Sequence, residues 1–299
     1  MDDKKNQEAF IDIMARFTAY AAKHLPDDVL AKLKELREKE RSALAGIAYD
    51  AVFENIKLAD ELDRPVCQDT GVIQYFVRAG AGFSLIGSME HCLREAAKRA
   101  TVLGPLRHNA VEVFDEKNTG TNVGTRIPWI EWEIVPDSSD AEIYVYMAGG
   151  GCSLPGTAKV LMPLEGYEGI VKLVFDQVVS YGINACPPLL IGIGIAGSAE
   201  VASKLSKKAL LRPIGSRNSN PRAAELESRI ENGLNEIKIG PGGLSGESSV
   251  MGVHIEQAAR HPATIAVGLS VGCWAHRRAM IKISADLQYE VVTHKGATL

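Results

Sequence analysis

The chain contains no apolar run of the roughly 18 residues that a membrane-spanning helix needs, so no span is expected. It also lacks the basic start, apolar middle and small-residue cleavage site of a secretory leader. Met1-Asp2-Asp3-Lys4-Lys5 opens acidic and then reads as helix, and a cytoplasmic location is expected. No basic tract of arm length is present; with a net charge of −4 and a pI near 6.0, no nucleic-acid partner is expected. Internal repeats and low-complexity linkers are missing too. Cysteine is scarce: five residues, an odd number, widely spaced. In a cytosolic chain that argues against a disulfide framework and leaves metal binding, catalysis or simple burial.

What is present is ordinary globular material. The 299 residues are 46% hydrophobic and 23% charged, enough for one large domain or two modest ones. Phe10, Ile13, Met14, Phe17 and Ala21 recur at helical spacing. A second helix is expected from Pro26-Asp27-Asp28, where a proline and two acids suit a first turn. A third covers 42–62. The segment 64–71 breaks the helical pattern and leads into a strand at 72–77. Further helices are expected at 88–103, 168–181, 199–211 and 222–237. Strands are expected at 189–195, 250–255, 264–270, 279–283 and 289–293. Residues 129–135 and 143–147 alternate around the turn chemistry of 136–140 and predict a hairpin. The fold class expected is α/β, with mixed sheets, packed helices and a helical N-terminal region. A single body spanning 1–299 is expected, with 1–62 as its helical part and 63–299 as the α/β part.

The cysteines divide by context. Cys92 falls on the apolar face of a helix and reads as a small buried hydrophobe. Cys67, Cys186 and Cys273 each lie in loop-prone surroundings at the end of a helix or strand, where ligands and catalytic groups collect. Three thiolates can hold an iron–sulfur cluster and leave one iron open, which a four-cysteine electron carrier does not. Spacing alone leaves metal binding, catalysis and burial open for these three. Cys152, after three glycines, reads first as a packing residue, with a fourth ligand or a reactive thiol as alternatives.

Anion-handling groups are few. Arg107 stands among polar residues after a helix, suited to a carboxylate or to a surface ion pair. Gly149 to Gly151 suit either an amide nest or a tight turn. Gln68 and Asp69 adjoin Cys67, so a cluster there would place them beside the substrate. His261 reads as an acid or base, or as a capped loop residue. Gly192-x-Gly194-x-x-Gly197 fits a dinucleotide fingerprint, but no acidic residue follows at the required distance. Close packing of helix on strand accounts for these glycines better.

Several motifs in fixed order carry a resemblance that covers the chain from about residue 60 onward. They are Cys67-Gln68-Asp69-Thr70-Gly71, Asn118-Thr119-Gly120-Thr121-Asn122, Ala185-Cys186-Pro187-Pro188 and Gly272-Cys273-Trp274. Together they resemble the class I, iron–sulfur fumarase/tartrate dehydratase family. Ala209-Leu210-Leu211-Arg212-Pro213-Ile214 is similar to its two-subunit branch. Leu106-Arg107-His108-Asn109, Met147-Ala148-Gly149-Gly150-Gly151-Cys152 and Ala275-His276-Arg277-Arg278 look like the alpha-subunit type of its tartrate dehydratases.

The resemblance implies a hydro-lyase acting on a small hydroxy-dicarboxylate: tartrate to oxaloacetate, with fumarate/malate as the alternative. It implies a 4Fe–4S cluster with one iron open to substrate, held by Cys67, Cys186 and Cys273. Gln68, Arg107 and Gly150 would bind substrate, and Asp69 and His261 would handle protons. It further implies a separate beta subunit, in a heterodimer or α2β2 heterotetramer, carrying more substrate arginines and the base. Two rival classes remain at this level. A non-catalytic cluster protein would need a fourth ligand such as Cys152, and a nucleotide-dependent oxidoreductase would need the missing acid.

Overall fold

The computed structural model describes residues 2–299, with side chains from Lys4 onward. Met1, at the head of the segment read above as non-leader, lies outside the described residues. In chain order the elements are α1 (Asp2–Lys23), α2 (Asp27–Lys39), α3 (Ala43–Glu61), β1 (Val72–Gly80), α4 (Met89–Leu103), β2 (Val111–Glu112) and β3 (Lys117–Asn118). Then follow β4 (Trp129–Val135), β5 (Ala141–Ala148), α5 (Gly150–Ser153), β6 (Thr157–Leu161), α6 (Gly166–Tyr181), β7 (Leu189–Ala196) and α7 (Ala199–Ala209). The last are α8 (Pro221–Glu236), β8 (Val250–Gln257), β9 (Ile265–Gly272), β10 (Arg277–Ile283) and β11 (Tyr289–Val291). The fold is α/β with mixed sheets and a helical N-terminal region, as the sequence implies. No helix among the described residues is long and apolar enough to cross a membrane.

The chain divides into two compact units, crossing between them after Asp27, Phe53, Gly149 and His276. The N-terminal helices therefore do not stay together: α1 belongs to the first unit and α2 to the second.

The first unit holds a five-stranded sheet in the order β11-β10-β5-β1-β4. Ile73, Tyr75, Val77 and Ala79 alternate down one face of β1 and are buried with Ile143, Val145 and Met147 of β5. Phe10, Met14, Phe17 and Ala21 of α1 and Met89, Leu93, Ala96 and Ala97 of α4 join this core, as helical spacing requires. Cys92 lies in it at 0% exposure, the packing role expected.

The expected hairpin of 129–135 with 143–147 does not form. β1 lies between those strands, parallel to β4 and antiparallel to β5. The reason is burial. β5 needs apolar cover along its length, and β1 supplies it. β4 is an edge strand, with Trp129, Trp132 and Ile134 half exposed. The intervening turn crosses the end of β1 so closely that a Cβ on Gly80 would stand 2.1 Å from the Ser138 carbonyl oxygen.

His294, 3% exposed, sits in this unit against Tyr20 and donates from Nε2 to the His24 carbonyl at 3.2 Å. Burial pushes its pKa down to about 4, against the smaller opposing pull of that carbonyl and Asp27. The unfolded chain therefore binds the proton more readily, and stability is fully present above pH 6.5 and lost as pH falls toward 4. The loss amounts to ~3 kcal/mol. Urea midpoints measured at pH 7 and 4.5 are expected to show it, and His294→Gln, which keeps a donor, is expected to flatten that fall.

The second unit is built on a four-stranded sheet, β6-β9-β7-β8, with β7 and β8 parallel and β9 antiparallel to β7. Ile170, Val174 and Val178 of α6 and Leu226, Ile230 and Leu234 of α8 pack with β7, β8 and β9. α7 also packs on the sheet and explains the glycine pattern of β7. A Cβ at Gly192 would meet the Ser206 carbonyl oxygen at 2.3 Å, and one at Gly194 the Ala202 oxygen at 1.9 Å. These glycines admit a helix, not a nucleotide.

Candidate active site

In the first unit, the break before β1 is fastened at Val66. Its amide donates to the Ala22 carbonyl at 3.1 Å, and its carbonyl accepts from Asn55 Nδ2 at 2.8 Å. Cys67 follows, partly exposed, with Sγ 3.9 Å from Gln68 Oε1. Asp69 Oδ1 accepts from the Gly71 amide at 2.8 Å and from Asn109 Nδ2 at 2.7 Å. Gly71 has φ +73°, and a Cβ there would lie 2.2 Å from the Ala148 carbonyl oxygen. Only glycine fits that turn. A Cβ on Gly149 would in turn meet Asp69 Oδ2 at 2.6 Å. The carboxylate is thus seated where β1 begins and β5 ends.

The Asn118–Asn122 motif is scaffolding for the loop that bears Arg107. Buried Asn122 accepts the Asn109 amide at 3.1 Å and donates to Thr101 Oγ1 at 3.0 Å. Asn118 Nδ2 donates to the His108 carbonyl at 2.7 Å. Arg107 itself is exposed.

In the second unit, Cys186 and Cys273 come together. Cys186 has φ 54° and precedes the cis Pro187-Pro188 bond at the start of β7. The Trp274 amide donates to the Cys186 carbonyl at 3.3 Å, so the loop leaving β9 touches the loop entering β7. Buried His276 clamps that loop, its Nε2 donating to the Leu210 carbonyl at 2.9 Å. Gly272 leaves the ring room: a Cβ there would stand 2.5 Å from His276 Nδ1. The glycine segment 149–152 reads as a loop in the sequence, but Gly150–Ser153 form the single helical turn α5. A Cβ on Gly151 would meet the Asn184 carbonyl oxygen at 2.2 Å, which fixes α5 against the approach to Cys186. Gly150 is exposed. Cys152 is 6% exposed, consistent with packing, and lies close enough to Lys207 to raise its pKa, against the larger lowering by burial.

The structure does not bring His261 to these thiols. Cys186 precedes β7 and Cys273 follows β9, whereas His261 precedes β9 beyond the far end of β7. Eight strand residues separate the two ends, ~25 Å at about 3.3 Å per residue. His261 Nδ1 accepts from the Ala263 amide at 3.1 Å, and Arg260 Nη1 donates to the carbonyls of His261, Pro262 and Thr264. His261 Nδ1 thus caps its own loop, at the opposite end of β9 from Cys273. Arg260 lines a cavity of about 640 Å³ with Tyr167, Arg222 and Arg229, at that same far end.

No cysteine among the described residues forms a disulfide, and no three His, Cys, Asp or Glu side chains among them gather in metal-binding geometry. The donor chemistry suits iron and sulfur: Cys67, Cys186 and Cys273 are the cysteines that are not buried, and thiolates are soft ligands. Sequence reasoning named Asn109 and Asn122 only as motif residues, without a role, and passed over Lys207. A polar loop and a charge-dense helix end look solvated until the contacts are seen.

The sequence profile of the fumarate hydratase (Fumerase) family matches residues 11–282. The chain is 56% identical over 302 aligned residues to L(+)-tartrate dehydratase subunit alpha of Escherichia coli (strain UTI89 / UPEC), covering 100% of both chains. Identity to the protein of that name in Escherichia coli (strain K12) is 55% over the same span. A putative L(+)-tartrate dehydratase subunit alpha of Methanocaldococcus jannaschii is 39% identical over 279 residues, 92% of this chain and 98% of that one. With its motifs in place and the match running the length of the chain, the protein belongs to the class I fumarate hydratase family of hydro-lyases.

Proposed function

We propose that this chain is the iron–sulfur-bearing alpha subunit of a cytoplasmic hydro-lyase that converts L(+)-tartrate to oxaloacetate and water, working with a beta subunit. The observation that carries the reading is full-length identity of 55–56% to tartrate dehydratase alpha subunits. Cys67, Cys186 and Cys273 would hold a 4Fe–4S cluster, which when bound supplies Lewis-acid polarisation of the C–O bond at its open iron. The polar rival, a four-ligand redox centre, would need Cys152, which is buried.

Arg107 binds one carboxylate through a planar pair of donors. Gln68 and the Gly150 amide orient the substrate. Asp69, held by the Gly71 amide and Asn109, delivers a proton to the departing hydroxyl, so that water leaves. A base on the beta subunit takes the proton from the neighbouring carbon, and the resulting enol becomes the keto acid. His261 takes no part at the thiols of its own chain; a contribution from it would come from another copy in an α2β2 assembly.

Arg107→Lys keeps the charge but loses the two-point fork, and kcat/KM is expected to fall about tenfold or more with iron content unchanged. Near-normal kinetics would remove Arg107 from the site. The reading as a whole is tested by loading the purified chain with iron and sulfide anaerobically, then assaying tartrate and malate with and without a beta subunit. Turnover of tartrate is expected only with both chains. Full activity of this chain alone would overturn the two-subunit reading, and preference for malate would favour the fumarase alternative suggested by the family's own name.

A further inference from the structure

The second unit has a cavity that the hydro-lyase reading does not use. Its volume is about 640 Å³, within the range of small-molecule sites, roughly 300–1,000 Å³. The parallel strands β7 and β8 end at it with Ile195 and Ile255, and Ile265 opens β9 beside them. Sheets with parallel strands and helical crossovers take their ligands in the crevice outside the carboxyl ends of those strands. Cys186 precedes the other end of β7, so this crevice is not the thiol site.

Its charge is one-sided. α6 and α8, each 16 residues long, both begin at the cavity, with Tyr167 of one and Arg222 of the other in its wall. The positive ends of two helix dipoles therefore face the same space. α8 has no acid in its first turn and carries Arg222 there, where the dipole disfavours a cation. Arg229 follows two turns along the same face, and Arg260 lines the cavity from the loop after β8. Arg260 is fixed in place, because its Nη1 donates to the carbonyls of His261, Pro262 and Thr264 at 3.0, 3.2 and 3.3 Å. Two acids of α8 are engaged elsewhere: Glu227 pairs with Arg212 at 2.8 Å and Glu231 with Arg217 at 2.7 Å. Against three arginines, the wall has one carboxylate among the described residues, Glu225.

The floor is different in kind. Ile195, Ile255 and Ile265 are apolar, and the Tyr167 ring is 64% exposed beside them. An apolar floor under a wall of arginines fits a ligand with an apolar body and a strongly anionic end, and guanidinium forks match phosphate geometry. Tartrate has no such body. We propose that this cavity is a binding site for an organic diphosphate of nucleotide size, separate from the substrate site, with its phosphates on Arg222, Arg229 and the start of α8. The proposal concerns binding alone and does not depend on the hydro-lyase reading.

Equilibrium binding of ADP, pyrophosphate and adenosine, measured on the full chain alone and assembled with a beta subunit, tests it. ADP is expected to bind saturably in both forms. Pyrophosphate, without the apolar body, and adenosine, without the charge, are expected to bind more weakly. Arg222 and Arg229 are exposed, so Arg222→Gln and Arg229→Gln are expected to fold normally and to turn over tartrate as the parent does. Each is expected to raise the dissociation constant of ADP about tenfold or more. Saturating succinate, a dicarboxylate that cannot be dehydrated, is expected to leave ADP binding unchanged. Absence of saturable ADP binding, affinity that survives both substitutions, or displacement of ADP by succinate would overturn the proposal. So would loss of ADP binding when the beta subunit is added, which would make the cavity an interface between chains.

Discussion

Cys186→Ser is expected to yield a folded chain that has lost its iron, its visible absorption and all measurable turnover. The same is expected of Cys67→Ser and Cys273→Ser. Removing an outer hydrogen-bonding partner of a metal ligand costs about 10–100-fold in affinity, and losing the ligand sulfur costs more. The contrast lies in the two buried cysteines. Cys152→Ser and Cys92→Ser are expected to retain iron, because one is buried within α5 and the other in the core of the first unit. Iron and acid-labile sulfide per chain, measured after anaerobic preparation, decide the matter. Loss of the cluster in Cys152→Ser together with its retention in Cys186→Ser would reverse the ligand assignment and revive the redox reading.

Asp69→Asn should lower kcat by about 10²–10⁴-fold, the usual worth of a positioned acid or base. The substitution is nearly isosteric, and the amide oxygen can still accept from Gly71 and Asn109, so the loop and the metal content should survive. KM should change much less than kcat, since the group acts on the departing hydroxyl rather than on a carboxylate. A variant with normal kcat and raised KM would make Asp69 a binding residue and shift the proton's source to the partner chain.

The candidate site was legible where chemistry leaves a motif. Cys67, Gln68 and Asp69 announce themselves beside Gly71, whose positive φ and close approach to Ala148 require a glycine there. The split of buried from accessible cysteines was legible too, because Cys92 sits on a helical apolar stripe. The helices were readable from periodicity, as the buried row of α1 shows. Strand order was not. Alternation in β4 and β5 says that both are strands, but pairing depends on which partner covers β5, and β1 does so from far upstream. His261 shows the same limit. Its loop precedes the strand that ends near Cys273, yet the length of β9 carries it to the opposite end of the sheet.

The order of strands also sets a timetable for synthesis. β10 lies inside the first sheet, between β5 and β11, although it comes from residues 277–283, after the whole second unit has been made. Until those residues leave the ribosome, β5 presents an open edge that includes Ile143, Tyr144, Val145 and Tyr146, the kind of edge that recruits other chains. The growing chain must hold residues 54–149 unfinished while residues 150–276 emerge and fold around their own sheet. The period before residues 277–283 emerge is when aggregation and chaperone dependence are expected to be greatest.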